Sequence, residues 1–257
     1  MQYCHECPID ILDEISEYND YDYALLHLMD IPEYFDYYRN TPKELYLDNS
    51  AFEYQFLDTE FDLDYFYSII EEINPDVVIV PDVLNNSEKS IQNAHNFNYT
   101  NHKYMGVLQG ETFDELFECY EEYQKIGMDY IAVPFHSVSY QSMFADLNNK
   151  ALRDAYGRPF FIKQLIKKYQ VKENSLHLIG LSLPLELKNY NNEMKYIKSI
   201  DTANPVKYGF VNGVYGDIDK IVTKPHYILD HETIQRKTKP EELKNIIQNI
   251  KIFQSIN

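Results

Sequence analysis

A chain of 257 residues, 44% of them hydrophobic, can build one large core and is too apolar to be disordered. No apolar run approaches the roughly 18 residues that cross a bilayer, and Met1-Gln2-Tyr3-Cys4-His5-Glu6 lacks the basic and apolar segments of a signal peptide. The three cysteines, Cys4, Cys7 and Cys119, give no disulfide framework, which points to a reducing cytoplasm. The net charge of −18 argues against a nucleic-acid partner until its distribution is considered. Residues 1–128 carry 5 Lys+Arg and 28 Asp+Glu, whereas residues 129–257 carry 18 and 13. The second half includes Lys163, Lys167, Lys168, Lys172, Lys188, Lys195, Lys198 and Lys207, which would steer a polyanion to one face if they do more than solvate helices.

Apolar runs of strand length alternate with segments of helical period. Tyr23 to Met29 reads as a strand, Ile31 to Asn40 as a short helix opened by Pro32, and Leu45 to Leu47 as the next strand. Phe61 to Ile73 has helical spacing, Val77 to Val80 is a buried strand, and Ser87 to Asn96 is a helix capped by Asn86 or Ser87. Tyr104 to Leu108 is a strand. Thr112 to Ile126 is an amphipathic helix with a capping box in Thr112-Phe113-Asp114-Glu115 and a terminating Gly127. Tyr130 to Val133 is a strand, 136 to 158 is an irregular stretch with room for a short helix, and Phe160 to Tyr169 is a basic helix. Leu176 to Leu181 is a strand, Leu185 to Tyr196 a helix and Ile197 to Ile200 a strand. Lys207 to Val211 is the candidate last strand, Asn212 to Thr238 is irregular, and Glu241 to Phe253 is a helix begun by Pro240. About eight strands separated by helices predict a single-domain (β/α)8 barrel over residues 1–257. A doubly wound sheet is the alternative, but no Gly-x-Gly-x-x-Gly follows any strand.

Four polar residues end four of these apolar runs. Asp48 follows Leu45-Tyr46-Leu47, Asp82 follows Val77 to Pro81, Gln109 follows Tyr104 to Leu108, and Asp201 follows Ile197 to Ile200. Polar groups at the C-terminal ends of separate parallel strands are the layout of a barrel active site. Each alone also reads as a cap, turn or loop residue.

Taken together and in order, the strand-end motifs resemble the tRNA-guanine transglycosylase superfamily. The likeness is greatest to its DNA-acting branch, the 7-deazaguanine DNA transglycosylases of bacteriophages and bacterial islands. Leu47-Asp48-Asn49-Ser50-Ala51-Phe52 resembles an Asp-Ser-Gly-Gly-aromatic motif, Val80-Pro81-Asp82 a second Asp motif, and Gly106 to Gly110 a Gln-Gly motif. Leu178 to Ser182 resembles a Met-Gly-Val-Gly segment. Ile200-Asp201-Thr202-Ala203-Asn204-Pro205-Val206-Lys207 resembles the nucleophile motif Phe-Asp-Cys-x-x-Pro-Thr-Arg. The motif-bearing core spans about residues 44–211. The chain has Asn-Ser-Ala where the tRNA enzymes have Ser-Gly-Gly, and no cysteine follows Cys119, so their zinc subdomain has no counterpart in its usual form. The Asn-Ser-Ala change bears on the shape of the base pocket, while the missing zinc subdomain and a chain shorter than the tRNA enzymes favour DNA over tRNA.

The resemblance implies exchange of guanine for a 7-deazaguanine base, such as preQ0 or a relative, without metal or other cofactor. Asp201 would be the nucleophile on the sugar C1′ and Asp48 the general acid and then base. Asp82 and Gln109 would read the purine edge, Phe52 would stack on it, Ser50 and Gly110 would complete the base pocket, and Lys207 would hold a phosphate. A target base in DNA would have to leave the helix. A homodimer or protein partner would complete the DNA-binding face that the acidic first half interrupts. Rival readings are the same exchange on tRNA, a non-catalytic nucleic-acid- or partner-binding barrel, and a glycosidase or nucleoside hydrolase using water. Cys4-His5-Glu6-Cys7 has metal-ligand spacing but no second pair, and Asp230 and His231 cluster with His226 as a further weak metal candidate. His136 sits at a strand end and His177 within a strand.

Overall fold

The computed structural model describes residues 1–57, 59–98, 100–225 and 230–256. Eight parallel strands form one sheet that curls into a nearly closed barrel: β1 (Gln2–Cys4), β2 (Asp22–Leu25), β3 (Leu45–Asp48), β4 (Val77–Ile79), β5 (Lys103–Val107), β6 (Tyr130–Pro134), β7 (Leu176–Ile179) and β8 (Ile197–Asp201). Each strand from β2 to β7 pairs with the next, and β8 returns to β1 with Cys4 opposite Asp201. Between β1 and β2 the polar backbone is met mainly by side chains. Asp20 accepts from the Tyr3 N–H at 2.8 Å and donates its own N–H to the Tyr3 carbonyl at 2.8 Å. Asn19 treats His5 similarly, accepting from its N–H at 2.8 Å and donating to its carbonyl at 3.4 Å.

Helices cover the outside: α1 (Leu12–Ser16), α2 (Pro32–Arg39), α3 (Leu63–Ile73), α4 (Ser87–Asn96), α5 (Phe113–Ile126), α6 (Val138–Met143), α7 (Lys150–Lys168), α8 (Asn204–Phe210), α9 (His231–Ile234) and α10 (Pro240–Gln254). The predicted barrel is therefore present, and the capping box on α5 and Gly127 at its end are as read from the sequence. Four element assignments change. Gln2–Cys4, too short to show a period, is a strand. The strand from Tyr23 stops at Leu25, and Leu26–Leu28 is a 3-10 turn. The helix expected over 185–196 is two 3-10 segments, Pro184–Asn189 and Asn192–Tyr196. Lys207 to Val211 is not a strand: Pro205 at the first turn of α8 presets a helical φ, and the helix carries Lys207.

The irregular stretch 136–158 also folds differently, into α6 and the first half of α7, with Pro159 inside the helix. A proline there leaves the carbonyl four residues back without its helical donor. That carbonyl, Ala155, lies 3.5 Å from the Asn189 amide instead. One position beside this proline, Arg158 is fully buried. Its Nε donates to Glu186 at 2.6 Å, and its other nitrogens donate to the carbonyls of Val133, Ile179 and Gly180 at 2.9–3.1 Å. One guanidinium thus joins the C-terminal ends of β6 and β7. Deleting one partner of such a buried pair strands the other's charge. Arg158→Leu should lower unfolding free energy by about 3–5 kcal/mol in urea melts, and Arg158→Leu/Glu186→Leu should recover a large part of that loss.

Candidate active site

Strand alternation decides which residues face the barrel axis. Along the inward face Cys4 is followed by Glu6, Tyr46 by Asp48, Val107 by Gln109, His177 by Ile179, and Ser199 by Asp201. At the C-terminal mouth these chains end in a cavity of about 310 Å3. Its lining includes Glu6, Tyr23, Asp48, Phe52, Asp82, Gln109, Asp201 and Lys207. Six of the eight residues assigned from sequence thus meet in one place. Ser50 and Gly110 stand just behind the lining. The Ser50 hydroxyl lies 3.0 Å from His27 Nδ1, and its N–H donates to Asp48 at 2.5 Å. Its φ of 60° is left-handed, at a position where the motif it resembles carries glycine. At Gly110 a Cβ would lie 2.7 Å from that of Glu115, so its role is close packing against α5.

Asp201 is held from β7. His177 Nε2 is 2.8 Å from Asp201 Oδ1, and the Gly180 N–H donates to both carboxylate oxygens at 3.2 Å. His177 Nδ1 is 2.8 Å from the Ser199 hydroxyl, and the imidazole stacks on Tyr23 with 5.9 Å between centroids. Burial lowers the His177 pKa to about 3, so the ring is neutral. A neutral ring accepts from Ser199 and donates from Nε2 to Asp201. His177, read from sequence as a strand residue, is therefore an orienting partner of Asp201. Gly180 reaches Asp201 because its φ is 65°, and a Cβ there would meet Phe135 at 2.7 Å. Arg158 fixes the Gly180 carbonyl and so the peptide plane beside that N–H.

Burial raises the Asp201 pKa to about 7, with a further push from the charge of Asp48. Asp48 is itself raised by burial, against hydrogen bonds from the Tyr23 hydroxyl and the Ser50 N–H. Asp82 is raised to about 7 by burial and is gripped at both oxygens, by Asn49 Nδ2 at 2.9 Å and Gln109 Nε2 at 2.6 Å. The Gln109 carbonyl oxygen accepts from the Asn85 N–H at 2.9 Å. The Gln109 amide is thus already engaged in orienting Asp82, which leaves one amide hydrogen for any ligand.

Phe52 is 40% exposed at the rim, edge-on to Phe56 and Phe135 at 5.3 and 5.8 Å. Lys207 lies inside the cavity, its pKa lowered by burial against the raising effect of Glu6 and Glu53. Lys224, not singled out from sequence, sits 4.1 Å over the Phe135 ring, and burial followed by the charge of Lys207 lowers it to about 8. Glu6 and Glu53 also line the cavity and were not anticipated. Glu53 is raised to about 8 by burial and then by Asp48.

The remaining sequence candidates fall outside this centre or at its edge. His136 lines the cavity with Nδ1 3.0 Å from Asp154. Cys4 and Cys7 are buried, their thiols raised far above the usual range by desolvation, and His5 packs in the core against Phe253. Asp230 caps α9, His231 contacts Asp30 at 2.8 Å, and His226 lies outside the described residues. Among the described residues no group of three or more His, Cys, Asp or Glu is arranged to hold a metal. No described helix is long and apolar enough to cross a membrane.

No family model and no curated protein matches the sequence. Among solved structures, alanine racemase from Oenococcus oeni is similar, with a TM-score of 0.41 and 13% identity over 87% of this chain and 61% of that one. The chain thus spans less than two thirds of that protein, and a likeness this distant carries no argument about chemistry.

The raised Asp201 carboxyl has a consequence for stability. Its folded pKa, about 7, exceeds the ordinary value of 3.8. Its stabilising contribution is therefore complete below pH about 4 and lost as pH rises through about 7. Asp201→Asn should melt at higher temperature relative to wild type at pH 8 than at pH 4.5. A difference independent of pH would show that Asp201 ionises normally in the folded protein.

Proposed function

We propose that this barrel exchanges guanine in DNA for a 7-deazaguanine base through a covalent bond between Asp201 and C1′. The observation that supports it most is the convergence of Asp48, Asp82, Gln109 and Asp201 on one cavity, with the exposed ring of Phe52 at its rim. In this reading the Asp201 carboxylate attacks C1′, the bond from C1′ to N9 breaks, and its electron pair passes to the purine. Asp48 supplies the proton that neutralises the leaving base. The incoming base returns a proton to Asp48, its nitrogen attacks C1′, and Asp201 is released. Asp82, fixed by Asn49 and Gln109, accepts from the N1–H and amino group of a guanine-like edge. Phe52 and Phe56 give a flipped base an aromatic surface to cross. Lys207 and Lys224 are the cavity's cations for a flanking phosphate.

Incorporation of labelled guanine into DNA, with tRNA in a parallel arm, tests the reading. Exchange into DNA, with a denaturation-resistant DNA adduct that Asp201→Ala abolishes, is the expected result. Exchange only into tRNA would transfer the reading to RNA, release of free base without incorporation would make the protein a hydrolase, and an absence of both would leave a binding barrel. Asp48→Asn should lower the exchange rate by about 10²–10⁴-fold. Asp82→Ala should weaken discrimination for guanine by about 1–3 kcal/mol, read as the ratio of kcat/KM for guanine and adenine. The rate should climb as pH passes through about 7, because Asp201 attacks only as the carboxylate.

A further inference from the structure

Asp201 has a third contact, from a strand that sequence patterning does not reveal. β1 pairs with β8 so that Cys4 lies opposite Asp201, and the Thr202 N–H donates to the Cys4 carbonyl at 3.0 Å. Two residues beyond Cys4, on the same face, Glu6 enters the cavity. Its carboxyl shares the cavity lining with that of Asp201, close enough for a hydrogen bond between them. Two carboxylates cannot make such a bond, because both groups would be acceptors; it requires one proton between them.

We propose that Glu6 is a positioning residue that shares a single proton with Asp201 and, as the neutral partner, donates the hydrogen bond that aims the Asp201 carboxylate. The catalytic part of this inference rests on the reading of Asp201 as the nucleophile; the shared proton does not. Asp201 is the better holder of the charge. It already receives the Gly180 N–H and a donor from neutral His177, whereas burial and the charge of Asp201 both push the Glu6 carboxyl well above its usual range. Other charged or titratable groups around the pair are Asp48 on β3, Glu53 just after it, Tyr23 on β2, Lys207 on α8, and Lys224. Lys207 and Lys224 are the cations whose charges act on Glu6 in the opposite sense, and neither makes an ion pair within 4.0 Å among the described residues. Asp48 and Asp201 together are therefore served by a proton on Glu6 rather than by a close cation. A neutral acid that donates to the reacting carboxylate keeps its geometry without neutralising it, as a lysine would.

Three measurements test this. Infrared difference spectra of the intact protein at neutral pH should show a protonated carboxyl that Glu6→Gln removes; its persistence unchanged in that variant would overturn the proposal. The melting temperature of Glu6→Gln relative to wild type should rise from pH 5 to pH 8, because wild-type Glu6 keeps its proton on folding while its unfolded form ionises above about 4.5. A flat difference would overturn it. In the exchange reaction Glu6→Gln, still a donor, should keep kcat within about tenfold and leave the acid limb in place. Glu6→Ala, which removes the donor, should move that limb to higher pH by about one unit and lower kcat at least a further tenfold. Equal losses in both variants with no movement of the limb would show Glu6 to be structural. Wild type without exchange, but with the infrared band and the stability trend, would remove the transglycosylase reading and leave the shared proton standing.

Discussion

The mouth of this barrel is organised by the difficulty of burying several carboxyl groups together. Asp201 sits almost out of solvent in a cavity that also contains Asp48, Asp82, Glu6 and Glu53. Like charges so placed raise one another's affinity for protons, and desolvation acts in the same direction. The fold answers with donors rather than neutralising cations. Asp201 receives the Gly180 N–H and a hydrogen bond from His177, Asp48 receives the Tyr23 hydroxyl and the Ser50 N–H, and Asp82 receives two side-chain amides. Such donors hold a carboxylate in place while leaving its charge available to positive charge that develops beside it.

These donors need support of their own. His177 is set by Ser199 beneath it and Tyr23 beside it, inside the barrel. Gly180 is set from outside by Arg158, which binds the carbonyls of Val133, Ile179 and Gly180 and is itself paired with Glu186. Glu186 also accepts from the Tyr190 hydroxyl at 2.7 Å. A buried guanidinium with a single carboxylate partner contributes little net stability. Its effect here is geometric: it ties two strand ends and the peptide next to Asp201 into one rigid unit. This gives a physical reason for α7 to continue through Pro159, since the helix must carry Arg158 across the barrel's rim.

The strand ends were legible because the chemistry there follows the backbone period. Asp48, Asp82, Gln109 and Asp201 each terminate an apolar run, and a β-strand turns such a residue toward the axis or away from it by parity alone. Glu6 was not legible. Its strand is three residues long, so no alternation precedes it, and Cys4 and Cys7 draw attention to a metal motif that the buried thiols do not form. His177 lies within a recognisable strand, but only the pairing of β7 with β8 shows that it faces Asp201 and Ser199. Lys207, read from sequence as a phosphate contact at the start of a strand, lines the cavity from a helix, because Lys207 to Val211 has strand-like composition while Pro205 starts a helix. Arg158 lay in a stretch read as irregular on account of its polar residues. Tertiary contacts outweigh local propensity there.

The charge division between the halves of the chain takes a different meaning in three dimensions. Helices run against the strands, so Lys167 and Lys168 at the end of α7 lie at the opposite end of the barrel from the cavity. Lys188, Lys195 and Lys198 engage Asp219, Glu173 and Glu44. Of the eight lysines noted in the sequence, Lys207 alone lines the described cavity, joined there by Lys224. By composition alone, a mouth with five carboxyls and two lysines would repel a phosphate. Yet burial pushes Glu6 well above the usual carboxylate range, Glu53 up to about 8, and Asp82 and Asp201 up to about 7. The folded cavity is therefore far less negative than its composition. The same desolvation that tunes the carboxyls also removes much of the repulsion that their charges would set against any anion.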